Sequence, residues 1–414
     1  MGTARASVGG APVRGPAFWR VGGFHPMFDW DFTQQSPGAL VLPTGLTFAR
    51  ASSGHSVQTG TNGLIVGGAI ASNDVGRIGR LLDAHSYGLL IEPLTLNKFG
   101  YANTPSSAPG ADSGSPTYTT GQSDPAGGTA ATRIQVPSGG YSKYQTLTAS
   151  TNGVISAWVK QGSGSGAYQT CAPYAGTTGA GVNGSAGALW TRVTSANFPY
   201  GGTTPNFVSS DARANATLGS SAGARDAIFY GLQFEDKKYP TSLVITSGGS
   251  TATRAAERLT IDSTRATQAT VNGRLGFYVR FRAIAALTSM DAAAEGQILF
   301  GVGTTCSVWI SASSRYIIIK DATGSKYSQT ANSVISWSRG DLVEMVMELG
   351  NGVSSFRWRI NGGSVNTASF TARNDSLDPI VPSSGLDVLC AGTNWHTPAV
   401  IEQATLFVPG RAPF

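Results

Sequence analysis

The four histidines, His25, His55, His85 and His396, are where nucleophilic or metal chemistry would begin in this chain, and none stands in a motif that supplies it. A nucleophile elbow needs serine at the centre of G-x-S-x-G. At Gly162–Gly166 that place is held by Gly164, so the stretch reads as a flexible turn. Paired carboxylates are the other route, since glycosidases set two acids about 5 to 9.5 Å apart. Glu344 and Glu348 come nearest to this pattern, but four residues of strand at about 3.3 Å each separate them by roughly 13 Å. They read as solvated carboxylates on the outer face of a sheet, and an acid pair drawn from distant strands leaves no local sign. No EF-hand loop, phosphate-binding loop, HExxH or GxGxxG is present, so no metal site and no cofactor are expected. Calcium held by scattered loop acids such as Asp112 or Asp211 is the one metal chemistry such a pattern leaves open. The chain is expected not to be an enzyme.

Sugar binding asks for an exposed ring to stack on a pyranose face beside groups that hydrogen-bond its hydroxyls. Asn394, Trp395 and His396 meet that description between a strand-like LDVLC run and Thr397-Pro398; the alternative is that Trp395 packs over a sheet edge. Tyr200, beside Gly201 and Gly202, is a weaker candidate of the same kind, whereas Trp158, Trp309 and Trp358 fall within strands and read as core. A second aromatic group, Phe18, Trp19, Phe24, Phe28 and Trp30, lies in a Gly- and Pro-rich segment with no sustained period. Such rings either dock on another protein or fold back onto their own chain.

The elements that position these residues are strands. The chain has 414 residues, 54 of them glycine, with 13% charged and 41% hydrophobic, which suits short strands and tight turns and leaves room for more than one domain. GVISAWVK (153–160) alternates Ile155, Ala157 and Val159 against Val154, Ser156 and Trp158. GFYVRFRA (276–283) sets Phe277, Val279 and Phe281 against Tyr278, Arg280 and Arg282, the pattern of a half-buried strand. Val343, Met345, Met347 and Leu349 are expected inward. After the Gly350-Asn351-Gly352 turn, Phe356, Trp358 and Ile360 follow them. The net charge is +6, but Lys and Arg are scattered, so a nucleic-acid partner is not expected. The apolar run 63–71 is far short of the ~20 residues of a membrane helix, and no signal-peptide core is apparent. Cys171, Cys306 and Cys390 show no ligand spacing and read as buried free thiols; Cys306 and Cys390 could pair only if they share a sheet.

Three segments, LPTGLTFARASSG (42–54), YGLLIEPLTLNKF (87–99) and YGLQFEDKKYPTSLVITSGGSTATRAAERLTI (230–261), resemble in order and spacing the structural proteins of tailed bacteriophages, of the tail-fibre and head-fibre type. The second departs from many of them in running on to PLTLNKF. DPAGGTAATRI (124–134) and the strands after it are similar to jelly-roll modules of carbohydrate-binding type, and residues 337–363 are similar to concanavalin-like and laminin-G-like sandwiches. The expectation is an all-β chain with two β-sandwich domains in tandem. It consists of an N-terminal attachment arm (1–45), a jelly-roll domain (46–245), a joint (246–269) and a concanavalin-like sandwich (270–414). The resemblance implies a virion component, assembled in host cytoplasm, that docks to other virion proteins through its arm. It also implies self-association as a homo-oligomer, often a trimer, and presentation of a lectin-like module to bacterial surface polysaccharide. A capsid decoration protein and a capsule depolymerase are the alternatives.

Overall fold

The structure is a computed structural model. It describes residues 26–33, 38–40, 42–50, 54–55, 69–70, 76–79, 88–172, 180–289, 297–302, 306–311, 315, 317–321, 324–329, 334–351, 353–368, 370–372, 380–382, 385–391, 395–410, 412 and 414. Among these the fold is all-β: antiparallel sheets with one α-helix, Ser263–Ala269, capped by the Asp262 side chain on the Arg265 N–H. The chain forms two compact units. The larger draws on residues 1–51, 72–94 and 255–414, and the other, inserted into it, on 52–71 and 95–254.

The inserted unit is a sandwich. One sheet runs Thr191–Thr194, Ser150–Gln161, Arg225–Glu235, Ala131–Val136, Thr117–Gln122; the other runs Tyr144–Thr146, Asn206–Val208, Ala167–Ala172, Ala180–Ser185. The alternation of 153–160 divides the first sheet's two faces as expected. Ile155, Ala157 and Val159 join Phe207, Phe229 and Phe234 in the core between the sheets, while Trp158 joins Trp190, Ile228, Tyr230 and Leu243 in a second core on the opposite face. Both faces are covered over much of the strand, so its burial is nearly continuous.

In the larger unit one sheet is ordered Gly38–Leu40, Gly76–Gly79, Gly88–Ile91, Ala399–Phe407, Leu275–Ala283, Leu342–Gly350, Val353–Ile360, Asn366–Thr367, with Pro26–Asp31 also paired to Ala399–Phe407. The second is ordered Phe370–Ala372, Gly324–Gln329, Ile317–Asp321, Cys306–Ile310, Gln297–Val302, Leu386–Val388, Arg258–Ile261, Leu46–Ala49. Phe277 of the first meets Phe300 of the second with ring centroids 5.0 Å apart, and the inward residues Val343, Met345, Met347 and Leu349 are buried as their period requires. The hairpin expected at 350–352 is present: Gly350 at φ 106° and Asn351 at φ 48° turn the chain, and Met345 pairs with Trp358 and Met347 with Phe356.

Three expected domain bounds need correction. The strand Pro26–Asp31 lies inside the span read as an arm, yet it is an integral strand, with Trp30 opposite Ala404 and only 1% exposed. The strands Leu46–Ala49 and Gly88–Ile91, placed by sequence in the jelly roll, hydrogen-bond to Arg258–Ile261 and Ala399–Phe407 of the larger unit. The joint is likewise shared, because Ala252–Arg254 pairs with Thr95–Asn97 in the inserted unit and Arg258–Ile261 belongs to the larger one. Pairing between strands some 200 residues apart leaves no local trace, so a linear reading of the chain assigns them to their sequence neighbours.

The three fibre-like segments meet at one point in the larger unit. Arg50 from the first donates through Nη1 to Glu257 of the third at 3.1 Å, both side chains being wholly buried. Glu257 Oε2 accepts the backbone N–H of Glu92 from the second at 3.0 Å, and the Glu257 N–H returns a bond to the Glu92 carbonyl. Arg50, Glu92 and Glu257 therefore build a buried polar anchor close to where the chain leaves and re-enters the larger unit.

All three thiols are free and buried, as expected. Burial and the neighbouring Asp211 carboxylate push Cys171 well above its ordinary value, and burial raises Cys390 as well. The native chain is expected to show no rapid reaction with an aromatic disulfide reagent and three equivalents after denaturation; a fast native equivalent would contradict this burial.

Candidate functional site

The sequence-derived sugar and docking residues separate into distinct fates. Phe18, Trp19, Phe24 and Asn394 lie outside the described residues. Trp395 and His396 form a two-residue strand opposite Cys390 and Ala391, and the disposition of their side chains also lies outside what is described. Tyr200 is not a presented ring. It sits in the strand Phe198–Thr203, which alternates it inward to 8% exposure, against Phe234 at 5.8 Å and Phe198 at 5.3 Å. Phe28 stacks on Trp30 at 6.0 Å within the sheet, so Trp30 belongs to a core and Phe28 to its margin.

The acids once read as solvated are roofed by arginines. Glu344 accepts two bonds from Arg359, at 2.6 and 2.8 Å, and a third from the Tyr278 hydroxyl at 2.9 Å. Glu348 accepts the Gly410 N–H and lies within ion-pair distance of Arg274 and Arg357. Glu402, on a bulge of Ala399–Phe407, stands between Arg280 and Arg282 at 2.8 Å each. These carboxylates are at most 9% exposed while the guanidiniums above them are 22–33% exposed, so the outer face presents arginine. Tyr278 on the same face is fully buried with Val346 and Phe407 beneath Ala412 and Phe414, whereas Arg280 and Arg282 stay partly exposed, so the half-buried reading of 276–283 is corrected at Tyr278 alone. Asp211, considered for calcium, is engaged by Arg213 at 2.6 Å, and no group of three or more His, Cys, Asp or Glu that could hold a metal ion occurs among the described residues.

Glu235 is a wholly buried acid whose pKa is raised. Burial pushes its pKa up, against the opposing pull of hydrogen bonds from the Thr241 hydroxyl at 2.5 Å and N–H at 3.0 Å. A carboxyl with a folded pKa above its ordinary 4.5 contributes its full stability below that value and loses it as pH rises through the folded pKa. Glu235→Gln mimics the protonated form. The Tm difference, variant minus parent, is therefore expected to grow in the variant's favour between pH 4 and pH 7; a difference constant with pH would contradict the raised pKa.

An open cleft of mixed polarity is built into the inserted unit, with a volume of about 330 Å³, lined by residues of 115–117, 135–137, 165 and 224–226. It arises from a row across three strands: Thr117 opposite Gln135, and Gln135 opposite Asp226. Ala131, Ile228 and Tyr230 share this sheet face but are covered by Trp190 and Leu243, whereas Thr117 at the edge strand is exposed. Asp226 is fixed by a two-pronged pair with Arg133, both bonds 2.7 Å, and Gln135 Nε2 approaches the same carboxylate at 3.5 Å. The Arg133 and Asp226 side chains remain 19% and 15% exposed, so the pair is reachable from solvent.

The Gly162–Gly166 turn covers this pair closely. A Cβ on Gly164 would stand 1.7 Å from Asp226 Oδ2, and one on Gly162 2.9 Å from Arg133 Nε. Gln161 Nε2 holds the Gly164 carbonyl at 2.8 Å, and Ser165 from the same turn enters the cleft lining. Glycine is required here by close approach to a carboxylate, and the stretch is a fitted wall as well as a turn. Sequence reading missed Arg133, Gln135, Arg225 and Asp226. The available signal was the alternation of ATRIQV (131–136), which sets Arg133 and Gln135 opposite the buried Thr132, Ile134 and Val136.

No known protein family's profile matches the chain, and neither does any curated protein. Among solved structures, NanB plus Optactamide aligns at a TM-score of 0.26 and 12% identity over 35% of this chain and 23% of that one. Domains LG4-5 of the mouse laminin α1 chain align at 0.21 and 11% over 72% and 88%. The tandem CBM22-1-CBM22-2 domains of Paenibacillus barcinonensis Xyn10C align at 0.23 and 10% over 77% and 98%. At these TM-scores the likeness carries no argument, and the sandwich architecture rests on the strand pairing described above.

Proposed function

We propose that this chain is a non-catalytic structural subunit of a tailed-bacteriophage virion, of the fibre type, that docks to the particle through residues N-terminal to Pro26 and engages a glycan on the host surface. The observation that carries this reading is the convergence of its three fibre-like segments on the Arg50, Glu92 and Glu257 anchor. Segments that resemble a family and are also joined in space form one structural device, whereas chance likenesses have no reason to meet. Support for a non-catalytic role comes from the acids: Glu344, Glu348, Glu402, Asp211 and Asp387 are each neutralised by arginine, and Glu235 is wholly buried. Docking on the particle falls to Phe18, Trp19 and Phe24, because Trp30 is committed to the sandwich.

Mass spectrometry of purified particles is expected to find peptides of this chain in fixed ratio to the major virion proteins, and purified protein is expected to release no new reducing ends from host polysaccharide. Absence from particles would remove the virion reading. Product release would favour a depolymerase.

A further inference from the structure

We propose that the cleft of the inserted unit is a binding site for a neutral, hydroxyl-rich saccharide, with Asp226, Gln135 and Thr117 as its hydrogen-bonding row. This rests on the glycan-binding half of the proposed function and assigns it to a place that no sequence motif marked.

The polar groups of the cleft have capacity left for a ligand. A carboxylate offers about four acceptor positions. Among the described residues, Asp226 Oδ2 takes Arg133 Nη2 and the distant Gln135 Nε2, while Oδ1 takes Arg133 Nε alone. The Arg133 clamp thus pre-orients an acceptor that still has an open position, and ordering it on binding costs little. Ser165 Oγ accepts the Ala167 N–H and keeps its own proton to donate. Arg225 is tied to the Ser221 carbonyl at 3.0 Å and the Asp211 carbonyl at 3.3 Å, which holds its guanidinium at the rim. Pro137 and Ala224, both exposed, supply a small apolar surface suited to the C–H face of a sugar.

Charge and shape narrow the ligand. Arg133 cancels the Asp226 charge and Arg225 is tied to the Ser221 and Asp211 carbonyls, but the Asp226 carboxylate only accepts, so hydroxyls, which can donate to it, fit the row better than a carboxylate or phosphate. The volume of about 330 Å³ lies at the lower end of the roughly 300–1,000 Å³ usual for small-molecule sites, which suits one or two sugar rings. Among the described residues no aromatic lines the cleft, so recognition works through hydrogen bonds and distinguishes one arrangement of hydroxyls from another.

The test is titration of the full chain, by saturation-transfer NMR and calorimetry, with neutral mono- to trisaccharides of glucose, galactose, mannose and N-acetylglucosamine, and with galacturonate and sialic acid as the acidic arm. The parent is expected to bind at least one neutral sugar more tightly than either acid. Asp226→Asn and Thr117→Val are each expected to weaken that sugar at least fivefold, and the exposed Val381→Ser in the larger unit to leave it unchanged. Thr117 is exposed on an edge strand, so its variant folds even if loss of the Arg133 partner unsettles Asp226→Asn. Preference for the acids, or a loss below fivefold in folded Thr117→Val, overturns the cleft assignment while leaving a glycan site elsewhere. Binding of no sugar removes the glycan half of the proposed function as well, and presence of the chain in particles is unaffected by either result.

Discussion

Glu257→Ala is expected to be among the most destabilising single substitutions in this chain, costing about 3–5 kcal/mol and lowering the unfolding midpoint of the larger unit by on the order of 10 °C. The reason is what it leaves behind. Arg50 is buried to 1% exposure with its guanidinium on Glu257, and the Glu92 N–H spends its bond on the same carboxylate. Removing the acid takes a buried acceptor from the Arg50 guanidinium and from the Glu92 N–H, and breaking a buried ion pair from one side costs far more than the intact pair contributes. The double change Arg50→Met with Glu257→Leu is expected to recover much of the loss, because it removes both charges and keeps the volume. Denaturant unfolding of the parent, Arg50→Met, Glu257→Leu and the double variant measures the coupling. An alanine variant within about 1 kcal/mol of the parent would show that the anchor is not what holds the segments together.

Trp30→Ala is the second large effect, and it separates a core residue from a docking arm. The indole is 1% exposed, stacked on Phe28 and aligned across the sheet with Ala404, so truncation leaves a large cavity and costs about 3–5 kcal/mol. Its Nε1 has no hydrogen-bond partner among the described residues, so Trp30→Phe loses volume but no bond and is expected to cost much less. Thermal unfolding of the isolated protein reads both variants. If Trp30→Ala unfolded like the parent and only failed to enter particles, the residue would belong to the arm after all.

Local pattern carried the local elements. The run 342–360 alternates cleanly around a Gly-Asn turn, and its strands, register and inward residues stand where that alternation puts them, because an antiparallel hairpin is specified by adjacent residues. What alternation cannot report is the cover on the other side. Glu344 occupies the outward position its period assigns, but Arg359 and Tyr278 from the neighbouring strands cover it, and nothing near residue 344 announces either. Pro26–Asp31 failed for a similar reason: Asp29 accepts bonds from Gln403 and Thr405, partners more than 370 residues along the chain. Tyr200 was misread because the adjacent glycines suggested a loop, whereas both lie in the strand Phe198–Thr203. The cleft was legible only in part. Alternation exposes Arg133 and Gln135 as an outward polar pair, but their meeting with Asp226 depends on the pairing of Ala131–Val136 with Arg225–Glu235.

The central claim, that this is a fibre subunit of a virion, is tested most directly by locating it in intact particles. The three native thiols are buried, so a cysteine placed at the exposed Ser364 offers a single reactive site for maleimide gold. Electron microscopy of labelled particles is predicted to show gold at the outer ends of projecting fibres, in small equal clusters consistent with a homo-oligomer. Gold spread evenly over the head shell would contradict the account and make the chain a decoration protein.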